Sequence, residues 1–314
     1  MPTVTLARHA MATRFELVLH GDNPVALRAA GEEALDEIDR LEAQLSLHQS
    51  GSEIAQLNAR AAREAVRVTP ELFALLQHAR QLHAETGGAF DITIAPLVRC
   101  WGFMGAGGKM PTSDEIAEAR SKIGMEQVQL NAANHTVRFA RDGVMLDLGA
   151  IGKGYAVGQA ADILREAGVT SGLIHGGTST VHAIGQPPDA AFWNIAIEPP
   201  SRVALDPTPG LPAAVPLRDA ALSVSAVWGR AFAVEGKMYG HVLDPRSGEP
   251  VTRALLAVVV LPSATETDAL STALLTLGAE GHDQIVALRP GMQTVLVTPT
   301  ADGFHTASRG IDLA

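Results

Sequence analysis

Four short stretches interrupt the apolar patterning of this chain, and each sets ionisable groups beside Gly or Pro: residues 87–103, 146–156, 240–250 and 265–275. Such positions let a backbone approach a ligand closely. In 146–156, Gly149, Gly152 and Gly154 surround Lys153 where an expected strand runs into an expected helix, so main-chain N–H groups and an ammonium can converge on phosphate. The loop is not a Walker A sequence, whose Lys is followed by Ser or Thr where Gly154 stands. A glycine turn with a solvated lysine is the plainer alternative. In 265–275, Asp268 and Thr272 are four apart, so on a helix their oxygens share a face. A carboxylate and a hydroxyl suit a hard cation such as Mg²⁺, with a carbonyl, water and substrate phosphate completing the shell. The competing reading makes Asp268 a capping carboxylate and bonds Thr272 back into its own helix.

In 240–250, His241 ends an expected strand and Asp244-Pro245-Arg246-Ser247-Gly248 forms a turn. An imidazole can take up and return a proton near neutral pH, although eleven histidines make any one of them an ordinary structural group by default. Arg246 can meet phosphate or pair with Asp244. In 87–103, Phe90, Pro96, Trp101 and Phe103 surround Asp91 and Thr93, which makes either a wall for a planar ring or an aromatic core with a capping Asp.

The elements that must position these stretches can be read from periodicity. Residues 14–20 alternate as a half-buried strand does. Asn23 and Pro24 open a helix carrying Leu27, Ala34, Ile38, Leu41 and Leu45, and Thr69 and Pro70 open a second that ends at Gly87-Gly88. Thr112 and Glu115 form a capping box for a third helix stopping near Gly124. Further helices are expected at 154–167 and 267–277. Strands are expected at 127–130, 136–140, 144–148, 172–175, 192–198, 222–225, 231–234, 237–243, 254–260 and 294–298. The Pro- and Ala-rich stretch 199–217 reads as a surface loop between strands. Irregular alternation of strands and helices points to an α+β fold, one domain over 1–314, with mixed sheets flanked by helices.

Composition narrows the function classes. With 314 residues, 46% hydrophobic and 18% charged, the chain has material for a core. A net charge of −10 without a Lys/Arg cluster disfavours nucleic acid and anionic membrane as partners. One cysteine, Cys100, excludes an internal disulfide and a thiolate-rich zinc site, and its apolar surroundings suggest a buried inert thiol. No stretch of about 18 apolar residues occurs and the first residues resemble no export signal, so a cytoplasmic protein without a membrane span is expected.

In order and content these stretches resemble one family, the ApbE-type FAD:protein FMN transferases, from Met11 to about Gly278. Met11-Ala12-Thr13 is close to the family's Met-Gly-Thr, and Ser46, Ser52-Glu53-Ile54 and Leu57-Asn58 follow its next segment. Gly88-Ala89-Phe90-Asp91, Pro96-Leu97 and Trp101-Gly102-Phe103 match its aromatic signature. Gly149 to Ala156 looks like its Gly-Lys-Gly motif, with Gly176-Gly177 downstream. His241 to Gly248 is similar to its His-Ile-Ile-Asp-Pro-Arg-Thr-Gly motif, and Asp268 to Ala273 fits its last.

The resemblance implies a two-lobed, T-fold-related architecture with FAD in the groove and Mg²⁺ held by Asp268, Thr272 and the carbonyl of Ala150. It implies FAD contacts from Met11, His48, Phe90, Asp91, Gly152, Lys153, Gly176, Gly177, Ser225, His241 and Arg246. It further implies that a Thr or Ser of an acceptor flavoprotein attacks the FMN phosphorus and AMP leaves, with His241 as base and Lys153 neutralising charge. The chain departs from the family pattern at His48, where many members have Tyr, and at Gly158 and Thr178, where acids are usual. In the family's Thr-Ser-Gly loop, Ser225 is flanked here by Val224 and Ala226. Two other readings stay open: an FAD pyrophosphatase releasing FMN and AMP, and a flavin-binding protein without catalysis.

Overall fold

The computed structural model describes residues 1–105, 107–198, 214–301 and 303–312. In chain order the first half contains β1 (Thr3–Ala10), β2 (Thr13–His20), α1 (Pro24–Leu45), α2 (Glu53–Arg60), β3 (Val66–Arg67), α3 (Pro70–Glu85), α4 (Ala95–Cys100), α5 (Ser113–Arg120), β4 (Val128–Asn131) and β5 (Thr136–Phe139). The second half contains α6 (Gly152–Glu166), β6 (Ser171–Gly176), β7 (Thr180–Ile184), β8 (Trp193–Ala196), β9 (Ala214–Leu217), β10 (Ala220–Ala226), β11 (Ala231–Val234), β12 (Lys237–Gly240), β13 (Leu256–Leu261), α7 (Ala264–Leu277), α8 (His282–Val286), β14 (Gln293–Thr300) and β15 (Gly303–Arg309).

Eight strands form the central sheet in the order β1-β2-β6-β7-β10-β13-β14-β15. Each neighbouring pair is antiparallel, so the α+β class holds while the sheet is antiparallel where a mixed one was expected. An interior strand, β13, third from the β15 edge, has its run LAVVVL buried on both faces. Ala257, Val259 and Leu261 enter the larger core with α1, α3, α6 and α7. Leu256, Val258 and Val260 face a second core closed by the β8–β9 pair through Trp193, Ile195, Val215 and Leu217. A third, small cluster gathers Leu97, Trp101, Phe103, Ala119, Ile123 and Leu243 around α4 and α5.

Local chemistry sets the helix starts. The Asn23 side chain accepts from the N–H groups of Val25 and Ala26 at 3.1 Å, and Thr69 caps α3 in the same way. The capping box of Thr112 and Glu115 is formed, although α5 already ends at Arg120. Ser263 accepts from Glu266 N, which starts α7 at Ala264, three residues ahead of the expected boundary.

Three expectations need correcting. Residues 144–148 form no strand; Leu146 instead gives its N–H to Asn58 Oδ1 at 2.8 Å and takes a bond from Asn58 Nδ2 at 2.9 Å, so one carboxamide stands in for a strand partner. The strand expected over 237–243 stops at Gly240, because the chain turns there to present His241. Within 199–217, residues 214–217 are strand β9, while 199–213 lie outside the described residues. Edge strands β1 and β15 carry no motif and escaped the sequence reading. Among the described residues no helix is long and apolar enough to cross a membrane.

Candidate active site

A cavity of about 940 Å³ opens where α6, α7, the end of β10 and the segment after β12 converge. Its wall includes His48, Phe90, Asp91, Ala150, Lys153, Gly177, Ser225, His241, Asp268 and Thr272, so most of the side chains singled out by sequence share one space. Met11, Gly152, Gly176 and Arg246 do not line it. Met11 packs against the main core in a left-handed conformation (φ 49°). Gly152 is buried at the start of α6, and a Cβ on Gly176 would press on Val157 at 2.9 Å. Arg246 makes a two-pronged pair with Asp244, at 2.9 and 2.7 Å, so the turn-stabilising alternative describes its contacts here.

One wall is helical. The N-terminus of α6 abuts α7 so closely that a Cβ on Gly154 would lie 2.2 Å from the carbonyl oxygen of Ala264. Without that Cβ, Gly154 N reaches Asp268 Oδ2 at 2.9 Å, which satisfies one of the orphan donors of α6. Asp268 thus caps a helix, though a neighbouring one. Among the described residues its other oxygen takes no hydrogen bond and no Lys, Arg or His lies within ion-pair distance. One turn on, Thr272 Oγ1 bonds to Asp268 O at 3.3 Å and to Ser225 Oγ at 3.1 Å. Ser225 also meets Ser271 Oγ at 2.9 Å, tying β10 to α7.

Lys153 sits in the first turn of α6 and gives Nζ to the carbonyl of Gly149 at 3.1 Å. Lys109 and Lys122 are neutralised by Glu115 and Glu118, whereas Lys153 has no carboxylate partner among the described residues. Asp147, which sequence reasoning passed over, shapes this loop: its Oδ1 accepts from Gly149 N at 2.8 Å and its own N–H goes to Ile92 O. The Asp-x-Gly spacing was the available signal.

The opposite wall carries His241. Its Nδ1 lies 3.1 Å from the carbonyl of Arg230, and a carbonyl only accepts, so Nδ1 carries the proton and Nε2 holds a free lone pair. Burial pushes the imidazole below its ordinary pKa; the bond to the Arg230 carbonyl opposes this, and the Arg230 and Lys153 charges reinforce it. Phe103 stands edge-on to it at 6.5 Å. Behind Phe103, the rings of Trp101, Phe232 and Tyr239 pack together, and Trp101 Nε1 donates to Gly248 O at 2.8 Å.

On the third side, Asp91 is buried beside Phe90. Burial raises its carboxyl despite bonds from Thr93 N (2.7 Å) and Thr93 Oγ1 (2.6 Å). His83 at the end of α3 stands 3.4 Å away and also went unnoticed in the sequence. Cys100 is half-buried, short of the full burial expected, and desolvation pushes its thiol up.

The sequence model of the ApbE family matches residues 11–296. This chain belongs to the ApbE family. A relative from Treponema pallidum (strain Nichols), named FAD:protein FMN transferase, is 30% identical over 320 residues, covering 97% of this chain and 86% of its own. One of the same name from Klebsiella pneumoniae (strain 342) is 29% identical over 286 residues, with coverages of 90% and 79%. The solved ApbE protein of Thermotoga maritima MSB8 matches with a TM-score of 0.86 at 28% identity, over 98% of this chain and 96% of that one. The Pseudomonas stutzeri flavinyl transferase ApbE matches at 0.83 and 30% identity, over 98% and 94%. The ApbE chain described here is accordingly an enzyme, a transferase.

Proposed function

We propose that this ApbE enzyme transfers the FMN half of FAD to a Thr or Ser hydroxyl of an acceptor protein and releases AMP. The observation that carries the reading is a pair of uncompensated opposite charges, Asp268 and Lys153, on one cavity that also holds an imidazole with its Nε2 lone pair free. A buried carboxylate without a charge partner is costly. A ligand bringing both a cation and a pyrophosphate would neutralise the two at once.

The donor chemistry fits a hard divalent cation such as Mg²⁺. The free oxygen of Asp268, Thr272 Oγ1 and the Ala150 carbonyl would hold it, and all are oxygens. When bound it would offset negative charge on the phosphates. The residues do the rest. His241 Nε2 accepts the proton of the acceptor hydroxyl as its oxygen bonds to the FMN phosphorus, and the bond from that phosphorus to the bridging oxygen breaks as AMP leaves. Lys153, at the N-terminus of α6, meets the charge developing on that oxygen. Phe90 and the Phe103 cluster supply apolar surface for the flavin ring.

The test is mass spectrometry after incubation with FAD, Mg²⁺ and a candidate acceptor. An FMN adduct on Thr or Ser with an equal amount of AMP is expected. FMN and AMP without adduct would indicate the pyrophosphatase, and intact FAD would leave only a binder.

A further inference from the structure

We propose that Arg230 is a positioning residue that fixes the tautomer of His241, an inference that rests on His241 as the base. Arg230 lies in the bend between β10 and β11, after Gly229, whose φ of 114° few side chains could adopt. Its carbonyl receives two bonds from the same residue, His241 N at 3.0 Å and His241 Nδ1 at 3.1 Å. Both lone pairs of that oxygen are therefore committed to one histidine, and they dictate which ring nitrogen is protonated.

Arg230 and His241 stand next in register beyond the Ala231–Gly240 pair, so the bond from His241 N extends the β11–β12 hairpin by one rung. The guanidinium adds a second anchor. Nη2 donates to Phe103 O at 2.6 Å and to Gly105 O at 2.9 Å, across the cavity mouth in the loop after α4. Among the described residues Arg230 pairs with no carboxylate; its guanidinium meets these main-chain oxygens. The same loop carries Phe103, whose ring meets His241 edge-on. One residue thus brackets the imidazole, by its carbonyl on one side and, through the loop it ties down, by Phe103 on the other. A neutral side chain at 230 would leave the carbonyl held by His241 N alone and the Phe103 loop untied, so Nδ1 and Nε2 would compete for the proton and part of the population would offer no lone pair to the acceptor.

The experiment uses ¹⁵N-histidine-labelled full-length protein, with His241→Gln to assign the resonance. In the wild type, His241 shows a protonated Nδ1 and an unprotonated Nε2. Arg230→Ala mixes the two forms and lowers kcat for transfer roughly tenfold or more, with KM for FAD within about twofold, as expected for a misplaced catalytic group. Arg230→Lys, which can reach one carbonyl, restores part of both readouts and guards against simple misfolding. An unmixed Nδ1–H form in Arg230→Ala overturns the inference. So does a raised KM with kcat unchanged, which would make Arg230 a substrate contact. A mixed tautomer with undiminished transfer supports the role of Arg230 and removes His241 as the base, so the two failures are distinguishable.

Discussion

The wall carrying Asp268, Thr272 and Lys153 is made of two helices in contact at their van der Waals limit, and nearly every residue of α7 is buried. The wall carrying His241 rests on a small aromatic cluster and a short hairpin with an exposed Met238. The groups proposed to face bridging phosphates are set into the main core, where a shift of one side chain is resisted by all its neighbours. The proposed proton acceptor, His241, is held by two bonds to one main-chain carbonyl, outside the main core. Substitutions on the first wall should therefore damage ligand binding and stability together, and those on the second should damage turnover alone.

The largest effect is expected for Asp268→Ala, which should lower transfer about a thousandfold, the scale of losing a preorganised charge contact. Flavin fluorescence titration should show weaker FAD binding with Mg²⁺ and little change with chelator. Equal weakening in both would remove the cation role. Next comes His241→Ala, with kcat down about a hundredfold or more and FAD affinity kept. Only the neutral imidazole accepts a proton, and burial lowers its pKa in the free enzyme, so wild-type kcat/KM should be flat through neutrality and fall as pH drops, with its midpoint below 6.5. A midpoint at or above that value would contradict the assignment.

Smaller effects test the walls as structures. Gly154→Ala forces a methyl against Ala264 O and should cost about 2–3 kcal/mol by denaturant titration. Gly158→Ala is the control, because a Cβ there would meet Thr265 Oγ1 only at 3.8 Å, an ordinary contact; it should be neutral or slightly stabilising. The smallest change concerns Glu266, two residues before Asp268, whose carboxyl is held at about 2 by the hydrogen bond from His78 and by Arg289. A depressed folded pKa stabilises above the ordinary 4.5 and is lost as pH falls from there to about 2. Arg289→Met should cost about 1 kcal/mol at pH 7 after allowance for partial solvent screening. The deficit should shrink toward pH 2, and a pH-independent deficit would mean that packing, not charge, is lost.

What the sequence disclosed follows the same division. Asp268 and Thr272 stood out because a spacing of four puts both on one helix face, and Lys153 because glycines flank it where a helix begins. β13 was legible as a continuous apolar run. Arg230 was invisible, since its contacts to His241 are made by a backbone atom that every residue possesses. The strand expected at 144–148 failed for a related reason: alternation reports a half-buried extended chain, and Asn58 can satisfy such a chain as well as a neighbouring strand does. Arg246 looked available until its distance to Asp244 was known.

The carboxamide of Asn58 also places a chemical limit on this enzyme's working life. Hydrolysis of that amide to a carboxylate would replace the donor facing Leu146 O with a second acceptor, and two lone-pair-bearing oxygens would then oppose each other beneath the loop that leads to Asp147 and Lys153. Ageing at a single nitrogen atom would loosen the loop that carries Lys153 while leaving the rest of the sheet and its helices intact.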